Sequence, residues 1–311
     1  MYYRFPWTCF QREVINRLNN NVMKKAYILL TLLLSVSCGD NAPLDIIPDE
    51  DLAVKILDVN FKKICVDKYD TNRDGMLTTD EVEAVVEIHI DNIESITSIQ
   101  GIEVFRNLKE FSACQCYNLM EANLYNNSKL YGVMFPNCKN LRSVVLPPNI
   151  AKLYKMAFYN CVGLTTVNLP NSLTEIGDEA FAFCSGISLL SIPGSVQTIG
   201  AYAFKSCLSL NYVTLSEGVQ NIGEQAFYNC TSLEKITLPS TTLSIGDYFF
   251  VNCTGLKTVT CKAVSPPKAG IMPFMGCIDL RAIRVPAQSL GEYMLASGWR
   301  SEKSLLTGAL L

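Results

Sequence analysis

The sequence has a single histidine, His89, among its 311 residues. One histidine is too few for most metal sites built on histidine. It also leaves at most one candidate base for catalysis by a serine or cysteine nucleophile. Excess charge of one sign is also missing, because 26 basic and 29 acidic residues give a net charge of −3. This balance excludes a strongly basic nucleic-acid binder. Cysteine is abundant, but thirteen is an odd number and the spacing is regular, which argues against a simple disulfide framework.

The apolar run from Ala26 to Val36 is too short to span a bilayer, which takes about 20 residues. It follows two lysines after Met23, and a positive segment before a short apolar one is typical of an export signal. The residues up to Cys38 resemble the cleavage site of bacterial lipoproteins, although Ser35 stands where that family prefers leucine. The resemblance implies that Cys38 becomes a lipidated N-terminus. The alternative is an ordinary signal peptide that is cut near a cysteine.

This interpretation divides the first fifty residues into three segments. Residues 1–22 are expected to be an upstream extension of a start at Met23, residues 23–37 the signal peptide, and residues 38–50 a polar tether. The chain from Cys38 onward then has 21 basic and 28 acidic residues, a net charge of −7. Two or more acyl chains on one cysteine give stable membrane anchoring, whereas one chain does not.

Residues 70–81 fit the twelve-residue EF-hand calcium loop, in which six loop positions direct oxygen atoms at one ion. Gly75 at the sixth position permits the sharp turn. No second loop accompanies this one, so the spacing predicts one weakly held structural Ca²⁺ within an N-terminal helix-loop-helix cap over residues 51–84. The alternative is an Asp/Asn-rich turn that binds no ion. The predicted ligands are Asp70, Asn72, Asp74, Met76, Thr78 and Glu81.

The rest of the chain repeats itself with a period of 23 residues. From Leu141 the successive lines begin LRSVVLP, LTTVNLP, ISLLSIP, LNYVTLS and LEKITLP, and a 24-residue line follows from Leu256. Each line has a cysteine near its end, preceded three residues earlier by phenylalanine. A period of this length indicates a solenoid, whose layers cannot bury their apolar residues alone. The cysteines in register are Cys138, Cys161, Cys184, Cys207, Cys230, Cys253 and Cys277.

Each line opens with the pattern L-x-x-V-x-L, whose alternating apolar residues indicate a strand with one buried face. Prolines such as Pro170 end that strand, because proline lacks the N–H that a ladder needs. Ile-Gly pairs such as Ile176-Gly177 mark a second turn before the chain returns. The sequence therefore predicts a repeat solenoid of stacked parallel β-strands.

These lines resemble the leucine-rich repeats of the BspA type, also described from treponemal surface proteins, over about residues 85–299. The resemblance implies irregular leading repeats over 85–140, regular repeats over 141–279 and a helical C-terminal cap over 280–311. Leucines at 108, 119, 130 and 141 run at 11 residues, half a period. Which of these early strands share a sheet is left open by the sequence.

Three cysteine and histidine features suggest chemistry only weakly. The seven cysteines in register are interpreted as a buried structural ladder, since free cysteine packs as a small hydrophobe, and not as a metal or redox array. Cys114 and Cys116 are spaced for a disulfide or a soft-metal pair, but no further ligands accompany them. His89 falls at an outward position of a strand and is interpreted as an ordinary surface residue.

The working surface is predicted on the outward positions of the repeated strands, where hydroxyl and amide side chains dominate. Five positive charges and one negative charge occur there, which suggests a basic strip for an acidic protein surface or a sulfated sugar. The alternative is that so few charges fall there by chance. The candidate ligand-binding residues are Tyr212, Lys235, Lys257, Arg281 and Arg284.

Two functions follow from these observations. The first is an exported, lipid-anchored binding or adhesion protein, without catalysis, on the outer membrane and cell surface. Family resemblance implies a protein or glycan ligand, including host extracellular matrix, with the membrane reached only through the lipid and with no nucleic-acid partner. The second is a non-catalytic accessory lipoprotein of an envelope or nutrient-capture complex. A catalytic function lacks a recognisable pairing of nucleophile and base in the sequence.

Overall fold

A computed structural model describes residues 51–311 of the chain. The three predicted segments before residue 51, together with Cys38, lie outside the described residues. Within residues 51–311, no helix has the length and hydrophobicity needed to cross a bilayer.

The described chain is a parallel β-solenoid, as predicted. Its short strands form two series, because each turn of the chain contributes one strand to each side. The front series contains β3 (Glu121–Asn123), β5 (Ser143–Val145), β7 (Thr166–Asn168), β9 (Leu189–Ile192), β11 (Tyr212–Leu215), β13 (Lys235–Leu238), β15 (Thr258–Cys261), β17 (Ala282–Pro286) and β18 (Leu306–Ala309). The back series contains β1 (Glu87–His89), β2 (Glu110–Ser112), β4 (Gly132–Met134), β6 (Lys152–Leu153), β8 (Glu175–Ile176), β10 (Thr198–Ile199), β12 (Asn221–Ile222), β14 (Ser244–Ile245) and β16 (Lys268–Ala269).

Strand pairing joins residues one period apart. Tyr212 of β11 pairs with Leu189 of β9 and with Lys235 of β13, so equivalent positions of successive lines lie side by side. Along β11 the side chains alternate, with Val213 buried and Thr214 exposed. This alternation is what a strand with one solvent face requires.

The core is a column of identical residues between the two series. Phe181, Phe204 and Phe227 are buried, and their ring centroids lie 5.6 Å and 5.1 Å apart in stacked geometry. The cysteines run beside them, and the Cys207 Sγ donates to the Phe181 carbonyl at 3.2 Å. All seven cysteines of the ladder are free thiols; six are buried and Cys277 is partly buried. Each repeat thus packs on the previous one through the same contacts.

The leading repeats with half the spacing alternate between the two sides. Leu108, Leu119, Leu130 and Leu141 precede β2, β3, β4 and β5, which belong in turn to the back, front, back and front series. A segment of about 11 residues therefore makes half a turn. This assigns the strands that the sequence left open.

Helices cover the N-terminal end of the described chain. Helix α1 (Val59–Tyr69) and helix α2 (Thr79–Ala84) flank the Asp70–Glu81 loop, after a short 3₁₀ segment at Leu52–Lys55. Asp58 is the N-cap of α1, and its Oδ1 accepts from Phe61 N–H at 2.9 Å. Its other oxygen, Oδ2, accepts from Thr97 N–H at 2.9 Å, so one carboxylate joins α1 to the first repeat.

The C-terminal cap differs from the prediction in one element. Helix α3 (Leu290–Leu295) and the buried Trp299 cover the last repeat, and Trp299 Nε1–H donates to the Pro267 carbonyl at 2.8 Å. The chain then adds β18 in parallel beside β17, a strand that the sequence analysis did not predict. The segment before β18 has no L-x-x-V-x-L pattern, which explains the omission.

Candidate functional site

The solvent side of the front series from β3 to β17, called the front face here, carries the predicted outward positions. Most of its strands direct polar side chains at solvent, and these alternate with buried or partly buried apolar ones. Over the three repeats from Thr165 to Thr214 these outward side chains are uncharged. They are Thr165, Thr166, Asn168, Ser188, Leu189, Ser191, Asn211, Tyr212 and Thr214.

Two larger side chains stand out in this uncharged region. Tyr212 and Leu189 are 58% and 63% exposed, and the two residues are direct partners in the β9–β11 ladder. Neighbouring strands lie about 4.8 Å apart, so the phenol and the isobutyl group form one contiguous patch. A depression of about 610 Å³ lies beside Tyr212. Its lining includes Asn211, Thr231, Glu234, Lys257 and Asp279.

The predicted basic strip has less net positive charge than its number of basic residues suggests. Lys257 Nζ lies 2.7 Å from Glu234 Oε1, and this contact lowers the pKa of the Glu234 carboxyl. The two charges largely cancel for any partner. Lys235, Arg281 and Arg284 are exposed and form no ion pair within residues 51–311. The uncompensated positive charge therefore lies toward the C-terminal end of the front face.

The Asp70–Glu81 segment has tight turns like those of the EF-hand loop to which its sequence was matched. The Asp70 carboxylate accepts from Arg73 N–H at 2.7 Å and from Gly75 N–H at 2.8 Å. Gly75 has a φ of +86°, which glycine adopts without strain. Asp74 Oδ1 accepts from Met76 N–H at 2.9 Å. These contacts hold the first half of the loop in a tight coil.

Glu81 has a different set of partners. Its Oε1 accepts from Thr71 N–H at 2.7 Å and its Oε2 from Thr78 N–H at 3.0 Å. These hydrogen bonds lower the pKa of Glu81 to about 2, and the bond from Thr78 N–H has the largest effect. Within residues 51–311 no three His, Cys, Asp or Glu side chains converge as a metal site. The loop contains the oxygen donors that calcium prefers, and the Glu81 carboxylate accepts hydrogen bonds from the loop itself, so the ion stays a prediction.

EF-hand loops usually pair with a second loop through backbone hydrogen bonds. Here the segment Asp51–Leu52 makes the backbone hydrogen bonds instead. Leu77, at the eighth loop position, accepts at its carbonyl from Leu52 N–H at 2.8 Å. Its own N–H donates to Asp51 Oδ1 at 3.1 Å. The segment just before α1 thus satisfies both backbone groups of Leu77, which also anchors the loop through its buried side chain.

His89 is exposed, as predicted, but it belongs to a hydrogen-bonded chain that the sequence analysis missed. Its Nδ1 lies 2.8 Å from Ser112 Oγ, its neighbour in the β1–β2 ladder, and Ser112 Oγ donates to Asp91 Oδ1 at 2.9 Å. Because the Ser112 proton goes to Asp91 and the serine is buried, His89 is not placed to activate a nucleophile. The sequence offered one signal for this contact: residues 89 and 112 are 23 apart, so they occupy equivalent positions of successive repeats.

Cys114 and Cys116 lie beside this chain as separate thiols. Burial, with a hydrogen bond to Asp91, raises the pKa of Cys114 to about 12. Cys116 is buried and its Sγ donates to the Ile90 carbonyl at 2.8 Å. Burial also raises the pKa of Cys116, so both thiols are protonated at neutral pH and are poor nucleophiles.

The parallel strands and the stacked phenylalanine column define the molecule as a leucine-rich repeat solenoid. More particularly, the chain belongs to the family of the BspA type leucine rich repeat region, whose model matches in six copies over residues 78–188, 112–230 and 184–297. This is a family of repeat proteins, which are generally not enzymes.

Solved structures with similar repeats come from several bacteria. A leucine rich repeat protein of T. pallidum is 27% identical, with 66% of this chain and 86% of that chain covered and a TM-score of 0.46. One from Bacteroides ovatus is 21% identical (73% and 84% covered, TM-score 0.33). A leucine rich cell surface protein of Faecalibacterium prausnitzii is 18% identical (73% and 83% covered, TM-score 0.30). None of the curated proteins compared with the chain matches it.

Proposed function

We propose that this protein is an exported, lipid-anchored binding protein that engages a protein or glycan ligand through its front face, without catalysis. The observation that carries the proposal is the uncharged region of that face. Three consecutive repeats present short hydroxyl and amide side chains around the exposed pair Leu189 and Tyr212. Exposed aromatic and aliphatic residues within a polar surround are typical of protein interaction sites.

The basic end of the front face supports a role for charge in recognition. Lys235, Arg281 and Arg284 are free to attract an acidic surface or a sulfated glycan, whereas the rest of the exported chain is acidic. Such charges raise association rates and orient the partner more than they add affinity. The family resemblance makes host extracellular matrix proteins candidates for the ligand.

Anchoring at the cell surface is part of the same proposal. The segment from Met23 to Cys38 has the charge and hydrophobicity of a lipoprotein signal, and a diacylated cysteine holds a protein at a bilayer. A protein that binds an external ligand must then be exposed on the outer membrane. We further propose that one structural Ca²⁺ is held by Asp70, Asn72, Asp74, Met76, Thr78 and Glu81.

Affinity capture with the exported chain tests the binding function. The wild-type chain should retain a ligand from host matrix extracts or glycan arrays, and the double variant Leu189→Asp, Tyr212→Ala should retain at least tenfold less. Leu243→Asp is a matched control, since Leu243 is 60% exposed and lies off the front face. Equal retention by the wild type and the double variant would remove the front face from the proposal.

The second candidate is an accessory lipoprotein of an envelope or nutrient-capture complex, whose partner is a neighbouring membrane protein. Protease treatment and antibody labelling of intact cells separate the two. The binding protein is labelled on intact cells, whereas a protein enclosed within the envelope is labelled only after lysis.

A further inference from the structure

One junction of the front face is not hydrogen-bonded. Strand pairing runs from β3 to β7 and again from β9 to β18, but within residues 51–311 neither a ladder nor a single backbone hydrogen bond joins residues 165–169 to residues 188–192. The back side of the same turns is continuous, since β8 pairs with both β6 and β10. The solenoid is therefore open on one side only, at a place called the β7–β9 gap here.

Asn168 gives a local reason for the gap. In an earlier turn, the Leu124 N–H donates to the main-chain carbonyl of Val145 at 2.9 Å. One turn later, the equivalent N–H of Leu146 donates instead to the side-chain Oδ1 of Asn168, at 2.6 Å. The side chain thus replaces its own backbone carbonyl, which alters the backbone pairing at Asn168 although β7 keeps its register with β5. Pro193 removes a further donor, because it has no N–H.

The gap exposes apolar residues that every other regular repeat buries. Val167 and Leu169 are partly exposed, although the equivalent residues of the next repeat, Leu190 and Ile192, are 6% and 0% exposed. A cavity of about 450 Å³ fills the opening. None of its lining residues is charged, and they include Val167, Leu169, Leu189, Leu190, Pro193 and Ser216.

We propose that the β7–β9 gap binds an extended, uncharged peptide segment of a partner protein, which pairs with the open edge of β7 and packs an aliphatic side chain on Val167 and Leu169. The inference rests on the protein-binding function proposed above. Three features select this occupant. The unpaired strand edges offer backbone N–H and C=O groups, which an extended peptide satisfies in register. The cavity has both polar and apolar lining residues and no charged one, so it matches an uncharged peptide and disfavours a charged one. Leu189 and Tyr212 border the gap on the β9 side.

Hydrogen exchange tests whether the gap exists in solution. The amides of Val167, Leu169, Leu189 and Ser191, whose hydrogen bonds would cross the gap, should exchange at least tenfold faster than those of residues 258–260, which are paired on both sides. Asn168→Thr places the residue of Thr214, Thr237 and Thr260 at this position. It should close the ladder and slow exchange to the rate of residues 258–260. Equal exchange at the two places in the wild type would overturn the proposal.

A synthetic seven-residue peptide of alternating threonine and valine, carrying a polyethylene glycol tail for solubility, tests the occupant. It should protect the amides of Val167 and Leu169 in the full chain, and the same peptide with alternate amides N-methylated should not. Leu189→Asp should weaken binding at least tenfold and Asn168→Thr should abolish it, whereas Leu243→Asp should leave it unchanged.

The outcomes separate this site from the broader function. No protection at millimolar peptide, or equal binding by the Asn168→Thr variant, would overturn the peptide site. Capture of a ligand by the front face that Asn168→Thr does not alter would leave the proposed function standing and remove the gap from it. A glycan that binds near Tyr212 without protecting the β7 amides would also contradict a peptide occupant.

Discussion

At the scale of single residues, the column of buried phenylalanines concentrates the stability of the repeats. Phe204 contacts a ring on either side, so removing it leaves a cavity bordered by two neighbours that cannot collapse independently. We expect Phe204→Ala to lower the free energy of unfolding by about 3–5 kcal/mol, measured by urea denaturation. Tyr212→Ala, at an exposed ring, should cost less than about 1 kcal/mol. A small effect of Phe204→Ala would contradict the stacked core.

The thiols beside that column should be chemically silent. Burial raises the pKa of Cys207 to about 12, so the reactive thiolate is scarce at neutral pH. We expect an alkylating reagent to label Cys207 slowly in the folded protein and fully in urea, as mass spectrometry of tryptic peptides would show. Rapid labelling of the folded protein would contradict the buried ladder.

Asp58 predicts a pH dependence. Burial acts to raise the pKa of its carboxyl, but the hydrogen bonds from Phe61, Thr97 and Ser98 outweigh it, and the pKa is lowered in the folded state. A depressed folded pKa stabilises the fold above the unfolded value of about 3.9, and this stability is lost as the pH falls through the folded pKa. Asp58→Asn should therefore cost about 1–2 kcal/mol at pH 7 and progressively less toward pH 3.

Urea denaturation of both proteins across that pH range measures the difference. Asp67→Asn, on the exposed side of α1, removes the same charge without these hydrogen bonds and should have little effect. A difference between Asp58→Asn and the wild type that does not change with pH would show that ionisation of Asp58 does not contribute.

At the scale of elements, the Asp70–Glu81 loop and the first repeat form one structural unit. The contacts of Leu77 with Leu52 and of Asp58 with Thr97 join the loop, α1 and the first turn of the solenoid. An ion that orders the loop should therefore stabilise the N-terminal end of the array as well as the loop itself.

Thermal melting with and without 10 mM calcium tests this expectation. With a dissociation constant of about 1 mM, binding adds about 1.4 kcal/mol, which raises the melting temperature by roughly 2–4 °C. Glu81→Gln should abolish the increase, because it removes the bidentate carboxylate, and Glu83→Gln, an exposed neighbour outside the loop, should retain it. A wild type that melts at the same temperature with calcium would refute the site.

The repeated strands, their buried faces and the stacking were all predictable from the sequence. Apolar residues at L-x-x-V-x-L recur with a period that leaves no other way to bury them. The Lys257–Glu234 ion pair was also predictable from the sequence, because the two residues are 23 apart and so lie side by side. The β7–β9 gap was not predictable from the sequence. Asn168 has the pattern of an ordinary strand-surface residue, and only the structure shows that its side-chain Oδ1, and not its backbone carbonyl, accepts the hydrogen bond from Leu146 N–H.

At the scale of the whole molecule, the positive end of the front face should affect partner binding. The triple variant Lys235→Glu, Arg281→Glu, Arg284→Glu should weaken capture of an acidic ligand at least tenfold and reduce its dependence on salt. Reversal at Lys63, Lys109 and Lys268, which are exposed elsewhere, makes the same change in net charge and should have little effect. Surface plasmon resonance at several salt concentrations measures both. Lys257→Glu alone should matter less, since Glu234 already compensates Lys257.

The proposed lipid anchoring is also tested on the whole chain. Cys38→Ala should move the protein from the membrane fraction to soluble or unprocessed material, and labelled palmitate should no longer be incorporated. Ser37→Ala keeps the cysteine and a small neighbour, so it should behave as the wild type. Membrane retention of Cys38→Ala equal to that of the wild type would reject lipidation.

The equal spacing of the phenylalanine column has an evolutionary consequence. Because the contact between Phe181 and Phe204 is nearly the same as that between Phe158 and Phe181, deleting or duplicating one whole line recreates the junction it interrupts. A gain or loss of 69 nucleotides within the regular lines should thus be tolerated, whereas a shift of a few codons should not. Recombination between lines can lengthen or shorten this protein without redesigning its interior.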